Sequence, residues 1–197
     1  MLGLDPGSRH FGWGVIRREG ARLLHVAHGV VDVDDGRPLA LRLVDIEAAL
    51  DRVIELHGPV SASVESIFFA KDAQAAAKLG HARGVALLVC ARARLEVFEY
   101  PPARVKRAVA GNGRADKGQV AQMVRVLLGL AAPPRSDAAD ALAAAITHLQ
   151  SSRELVGKPP PRATSRRAIP ADATPAQKLL HALMTGKSAK KRTMSGR

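Results

Sequence analysis

Asp5, Glu65, Asp137 and Asp140 are the residues of this chain whose types and spacing could do chemistry together. Asp5 closes the apolar run Leu2 to Leu4, and Glu65 closes Ala62 to Val64. Each therefore stands at the C-terminal end of a strand candidate, where open α/β sheets place their ligand sites. Asp137 and Asp140 are i and i+3 at the start of a helical segment and share one face of its first turn. Each feature alone has a plain structural use. Ser136 suits an N-cap, acids in a first helical turn favour the helix dipole, and Asp5-Pro6-Gly7 is a good turn. If all four carboxylates converge, however, they repel one another, and such oxygen-rich clusters are neutralised by hard divalent cations such as Mg²⁺ or Mn²⁺. Two such ions about 4 Å apart can clamp the attacking and leaving oxygens of a phosphoryl displacement.

The elements that must position these acids follow from the pattern of apolar residues. Leu2 to Leu4, Phe11 to Ile16 and Arg22 to Val33 read as three strands joined by short turns, an antiparallel meander. Leu39 to Leu56 has apolar residues mostly three or four apart, an amphipathic helix with Pro59 beyond its end. A fourth strand at Ala62 to Val64, an Ala-rich helix from about Ala70 to Arg94 and a fifth strand at Leu95 to Tyr100 follow. Helices near Val105 to Val109, Asp116 to Leu130 and Asp137 to Leu149 complete a domain spanning residues 1–150. The order β-β-β-α-β-α-β-α-α-α predicts an α/β fold, a five-stranded mixed sheet flanked by helices.

Composition narrows the classes of function. The chain has 197 residues, 47% of them apolar, which supports one sizeable core and excludes a wholly disordered chain. Its net charge of +12 points to a polyanionic partner. That charge is uneven: residues 151–197 hold 11 basic and 2 acidic groups, a net of +9, and the first 150 residues only +3. This second segment, with Pro159-Pro160-Pro161, reads as a basic extension. Thr174-Pro175-Ala176-Gln177 and the stripe Leu179, Leu180, Leu183 and Met184 predict a short helix at 175–185, which forms only when docked. No apolar stretch reaches the roughly 20 residues of a membrane span. Asp5 and Arg9 interrupt the N-terminus where a signal peptide would be apolar, and the single Cys90 lies in an Ala/Val/Leu run as a packing residue, so the expected compartment is the cytoplasm.

Several segments together match a known family. Asp5-Pro6-Gly7-Ser8-Arg9, Glu65 to Lys71 (ESIFFAK), Lys78 to Ala86 (KLGHARGVA), Val97 to Tyr100 (VFEY) and Asp137 to Ala143 (DAADALA) resemble the RuvC family of Holliday junction resolvases. The resemblance runs from residue 1 to about Gln150 in order and spacing. It implies a ribonuclease H-like fold, a homodimer, and Mg²⁺-dependent cutting of two opposed strands at a four-way DNA junction, leaving 5′-phosphate and 3′-hydroxyl ends. By position it makes Asp5, Glu65, Asp137 and Asp140 the metal-binding acids, with two ions per site expected and Mn²⁺ an alternative to Mg²⁺. It also puts Phe68 where an aromatic stacks on bases near the junction centre, with Phe69 beside it either stacking or packing. Lys106 and Lys117 match basic residues near the scissile phosphate, and Arg9, Lys71, Arg104 and Arg114 are further candidates for phosphate contacts. A branch-migration complex of the RuvA and RuvB type is an implied partner.

Gly80 and Gly84, with Ala76 one turn earlier, make a stripe of small residues on the Ala-rich helix, suited to close packing on the chain's own sheet or on a second copy. The family resemblance favours the second copy. Three rival readings are less well supported. A non-catalytic junction- or nucleic-acid-binding protein of the same fold would not need all four acids. A sugar-kinase-like nucleotide binder would account for Gly12 and Gly14 as a phosphate loop but requires two such domains. A nuclease for RNA-DNA hybrids would lack the dimer helix and the junction aromatic.

Overall fold

The computed structural model describes residues 1–66 and 73–156. Its elements run β1 (Leu2–Asp5), β2 (His10–Glu19), β3 (Arg22–Asp32), α1 (Leu39–His57), β4 (Ser61–Glu65), α2 (Ala73–Arg92), β5 (Glu96–Tyr100), α3 (Pro102–Ala110), α4 (Lys117–Leu128) and α5 (Ser136–Val156). This is the expected order. The sheet runs β3-β2-β1-β4-β5, with β1, β2 and β3 antiparallel and β1, β4 and β5 parallel. Pairing of Leu4 with Val64 carries Asp5 and Glu65 to the same edge of neighbouring strands.

Local chemistry sets the helix ends. Gly58, Gly111 and Gly129 close α1, α3 and α4 in the left-handed conformation that glycine adopts without strain. Asp116 begins α4 with a reciprocal capping box: its carboxylate accepts from the Gln119 amide, and the Gln119 side chain accepts from the Asp116 amide. Pro102 opens α3 at a position where a missing N–H costs nothing. α5 starts one residue before the expected Asp137 and continues to Val156, beyond the expected end at Leu149.

Two cores lie on the two faces of the sheet. Leu2, Leu4, Phe11, Val15 and Val64 face α1 and α2 through Ile46, Leu50, Ala86 and Val89. Ile16 and Tyr100 face α3, α4 and α5 through Val105, Val124, Leu142 and Ile146. α5 is sandwiched between sheet and helices, so every residue from Ala141 to Ile146 is fully buried, as befits a helix apolar all round.

Glycines let α5 lie directly on the sheet. A Cβ on Gly3 would stand 1.9 Å from the Ala141 carbonyl oxygen, and one on Gly12 would stand 2.0 Å from that of Asp137. A Cβ on Gly14 would meet the Leu142 side chain at 2.4 Å. Gly12 and Gly14 are thus close-approach positions in a strand, with no phosphate loop around them. Cys90 is buried, and desolvation pushes its thiol up to about 11, which leaves it a packing residue.

Candidate active site

β1 and β4 present Asp5 and Glu65 at the C-terminal edge of the sheet, and the start of α5 brings Asp140 to the same cleft. These three acids line one cleft of about 380 Å³ together with Lys106 from α3 and Lys117 from α4. Asp137 is half-buried beside the cleft and does not line it, yet its charge acts on both Asp5 and Lys117. Asp5 thus feels the charges of the other three acids.

Crowding is visible in the proton equilibria. Burial, and then the charges of Asp140, Asp137 and Glu65, push Asp5 up to about 7 against the opposing effect of Lys117. Glu65 is raised by burial and by Asp140, with Lys106 and Lys117 working the other way. Lys117 is itself raised, chiefly by Asp140, to which its Nζ donates at 3.1 Å.

The donor set suits a hard divalent cation. It is made of carboxylate oxygens alone, it carries mutual repulsion that a cation relieves, and it opens onto solvent through the cleft. As the side chains stand, Asp140 Oδ2 is engaged by Lys117, and among the described residues no three acidic, thiol or imidazole side chains are grouped so as to hold a metal ion.

Other expected contacts divide. Lys106 and Lys117 reach the cleft, whereas Arg9 and Arg114 do not line it. Arg9 is paired with Asp35, and Arg114 is exposed beside the Asn112 turn. Arg104 lies over the Tyr100 ring, 5.1 Å from its centroid, and donates to Ser151. Phe68, Phe69 and Lys71 lie outside the described residues, as does the helix expected at 175–185. His148 sits within α5, its Nδ1 2.9 Å from the Tyr100 hydroxyl.

Supporting residues that sequence reasoning passed over surround the acids. Arg83 of α2 lines the cleft and is bound to the Glu65 carbonyl oxygen. Arg42 of α1 is bound to the Ser8 carbonyl in the turn after β1. Arg135 makes a two-pronged pair with Asp32, at 2.6 and 2.9 Å, just before α5 begins. The pair lowers Asp32 to about 2, with His10 adding a second hydrogen bond. The signal for the first two was available: each arginine occupies the buried stripe of an amphipathic helix, Arg42 with Ile46, Leu50 and Val53, and Arg83 with Ala86 and Cys90.

On α2 the small-residue stripe turns away from the sheet. A Cβ on Gly80 or Gly84 would meet nothing within 4 Å, and Leu88, one turn further along, is 55% exposed. Packing against the chain's own sheet is therefore excluded for this stripe.

A mixed sheet in the order 3-2-1-4-5, with acids at the ends of β1 and β4 and on a helix lying across its centre, defines a ribonuclease H-like nuclease. The model of the crossover junction endodeoxyribonuclease RuvC family matches residues 1–148. A crossover junction endodeoxyribonuclease RuvC of Sorangium cellulosum is 58% identical over 174 residues, covering 85% of this chain and 97% of its own. The chain belongs to the RuvC family of crossover junction endodeoxyribonucleases. Among solved structures, Thermus thermophilus RuvC in complex with a Holliday junction substrate superposes with a TM-score of 0.74 at 39% identity, covering 80% of this chain and 97% of that one. The yeast mitochondrial Holliday junction resolvase, at 14% identity and a TM-score of 0.57 over 79% of each chain, shares the fold. No helix among the described residues is long and apolar enough to cross a membrane.

Proposed function

We infer that this chain resolves four-way DNA junctions by hydrolysing a phosphodiester on each of two opposed strands. The observation that carries the reading is the cleft where Asp5, Glu65 and Asp140 meet beneath Lys106 and Lys117, with Asp137 in electrostatic reach. Asp5, Glu65, Asp137 and Asp140 would hold the divalent cations, two Mg²⁺ by the family resemblance, with Mn²⁺ an alternative. Bound there, the ions would supply Lewis acidity toward the phosphoryl oxygens and lower the pKa of the attacking water. Lys106 and Lys117, which line the same cleft, would offer ammonium groups to a phosphate bound at the acids. Phe68, with Phe69 beside it, would stack on unpaired bases at the junction centre, while Arg9, Lys71 and Arg114 would contact flanking phosphates.

Two opposed incisions require two sites related by a two-fold axis. The outward residues Gly80, Gly84 and Leu88 support a homodimer formed through α2, since small residues let two backbones approach closely. The family resemblance supports action in the cytoplasm beside a branch-migration complex of the RuvA and RuvB type. Residues 151–197 would act as a basic arm that follows DNA phosphates. A non-catalytic junction-binding role is disfavoured because all four acids are present and act on one another.

The test is a synthetic four-way junction incubated with the protein in Mg²⁺ or Mn²⁺, alongside Asp137→Asn. The unmutated protein should make paired incisions and the variant should bind without cutting. Cutting by both, or by neither, overturns the reading.

A further inference from the structure

Two buried arginines on the α1 and α2 side of the sheet are each tied to the main chain at or just beyond a strand-end acid. Arg83, 7% exposed, donates from Nη1 to the Glu65 carbonyl oxygen at 2.7 Å and from Nη2 to Glu99 Oε2 at 2.7 Å. Arg42, 6% exposed, repeats the device on the other strand: Nη1 stands 3.1 Å from the Ser8 carbonyl and 2.8 Å from Asp35 Oδ1. Burying a guanidinium is costly, so a pair of them beneath one edge of a sheet calls for a use.

The geometry around Glu65 supplies one. Glu65 ends β4, where its neighbour Tyr100 ends β5, and the Ser66 amide donates to the Tyr100 carbonyl at 2.8 Å. Arg83 adds a tie from the third side, because its fork spans from α2 to the last residue of β4 and to Glu99 on β5. Arg83 meets Glu65 at its carbonyl oxygen, and so works through the Glu65 main chain. Lysine cannot replace it, since one ammonium does not reproduce a planar fork that engages a carbonyl and a carboxylate together.

We propose that Arg83 is the positioning residue for Glu65: by holding its carbonyl, Arg83 fixes the direction in which Glu65 offers its carboxylate to the divalent cation. This rests on the reading of Glu65 as a metal-binding acid. Glu99 is the counter-charge that makes the buried guanidinium tenable, so its removal should act in the same direction and more weakly.

The test compares Arg83→Met, Arg83→Lys, Glu99→Gln and Glu65→Gln with the unmutated protein. Mn²⁺ binding to the DNA-free protein is followed by electron paramagnetic resonance, junction affinity is measured in Ca²⁺, and junction cutting is measured in single turnover across a Mg²⁺ titration. Both Arg83 variants should weaken Mn²⁺ binding and raise the half-saturating Mg²⁺ by about tenfold, the range expected when a group that orients a metal ligand is lost. Junction affinity, dominated by phosphate contacts elsewhere, should stay within about twofold. If Arg83→Met does not fold, Arg83→Lys and Glu99→Gln carry the comparison. Folded variants with unchanged Mn²⁺ binding and unchanged Mg²⁺ half-saturation overturn the proposal, even if they cut more slowly. Normal cutting by Glu65→Gln overturns the site reading itself, whereas an inactive Glu65→Gln beside unchanged Arg83 variants overturns only the role of Arg83.

Discussion

Lys117, the first residue of α4, places its Nζ 3.1 Å from Asp140 Oδ2 on α5. The contact joins two helices that the chain separates by a loop, and it puts a cation where four acids repel one another. Without metal, the ammonium takes part of the role that a divalent ion would have. Lys117→Met should therefore lower the melting temperature of the metal-free protein and enlarge the rise produced by Mg²⁺. Equal Mg²⁺-induced rises in the two proteins would remove the compensation argument. Cutting should fall by about 10²-fold or more, the loss seen when one preorganised charge donor is removed from a transition state.

The raised proton affinity of Asp5 makes metal-free stability depend on pH. Its folded value of about 7 stands above the ordinary value of 3.8, so the folded state holds a proton that the unfolded chain has released. The stability contributed by that proton is fully present below about pH 4 and is lost as pH rises through about 7. Glu65 is shifted in the same direction. In chelator, denaturant midpoints should fall from pH 5 to pH 7.5, and Asp5→Asn should flatten this slope and add about 2 to 4 kcal/mol at pH 7.5. Saturating Mg²⁺ should reverse the trend in the unmutated protein. A metal-free midpoint that does not change over this range would contradict the crowding described above.

Gly3 and Gly12 leave no room for a methyl group between the sheet and α5. Gly3→Ala or Gly12→Ala would force a Cβ to about 2 Å from a backbone oxygen, and backbone cannot swing aside as a side chain can. Each should cost about 3 kcal/mol or more, at the upper end of overpacking effects, and should misplace Asp137 and Asp140. Urea unfolding gives the first quantity, and Mn²⁺ affinity the second.

Gly84 should behave in the opposite way. Its Cβ position is open, so Gly84→Ala should leave the monomer unharmed and stabilise α2 by about 0.5 to 1 kcal/mol. If α2 forms the proposed dimer, Gly84→Glu should instead yield a folded monomer in sedimentation, which nicks junctions singly. A Gly84→Glu protein that remains a dimer would remove this face from the dimer proposal.

Removing the segment read as a basic extension tests its part in DNA binding. Because α5 continues to Val156, truncation after Gly157 keeps the helix whole and removes 10 basic and 1 acidic residue. Junction affinity should fall and its dependence on salt concentration should become shallower, since fewer counterions are released on binding. An unchanged salt slope would show that the arm makes no phosphate contacts.

Much of this architecture was legible because it is local. The apolar runs of β1 and β2 and the three- and four-residue apolar spacing in α1 each act within a few residues, whereas the end of α4 at Gly129 fell short of the expected Leu130. The strand-end positions of Asp5 and Glu65 and the i, i+3 spacing of Asp137 and Asp140 were equally plain, so the acids were recognisable from type and place. What stayed hidden was every feature that depends on which surfaces meet. Gly12 and Gly14 fit a phosphate loop as well as a strand until α5 is seen to press on them. The small-residue stripe of α2 could face inward or outward, and only the packed structure turns Gly80 and Gly84 toward solvent.

The sequence by itself determined the elements, their order and the four carboxylates, because propensity, periodicity and residue type are properties of short stretches of chain. Tertiary structure alone decided that Lys117 faces Asp140 and that Arg83 reaches the Glu65 carbonyl, contacts between residues 23 and 18 positions apart in the chain. It also decided that burial, and then the neighbouring acids, push Asp5 up to about 7. The physical reason is the same in each case: electrostatic energy and close packing depend on distance through space, and that distance is settled only when α2 and α5 pack on the two faces of the sheet.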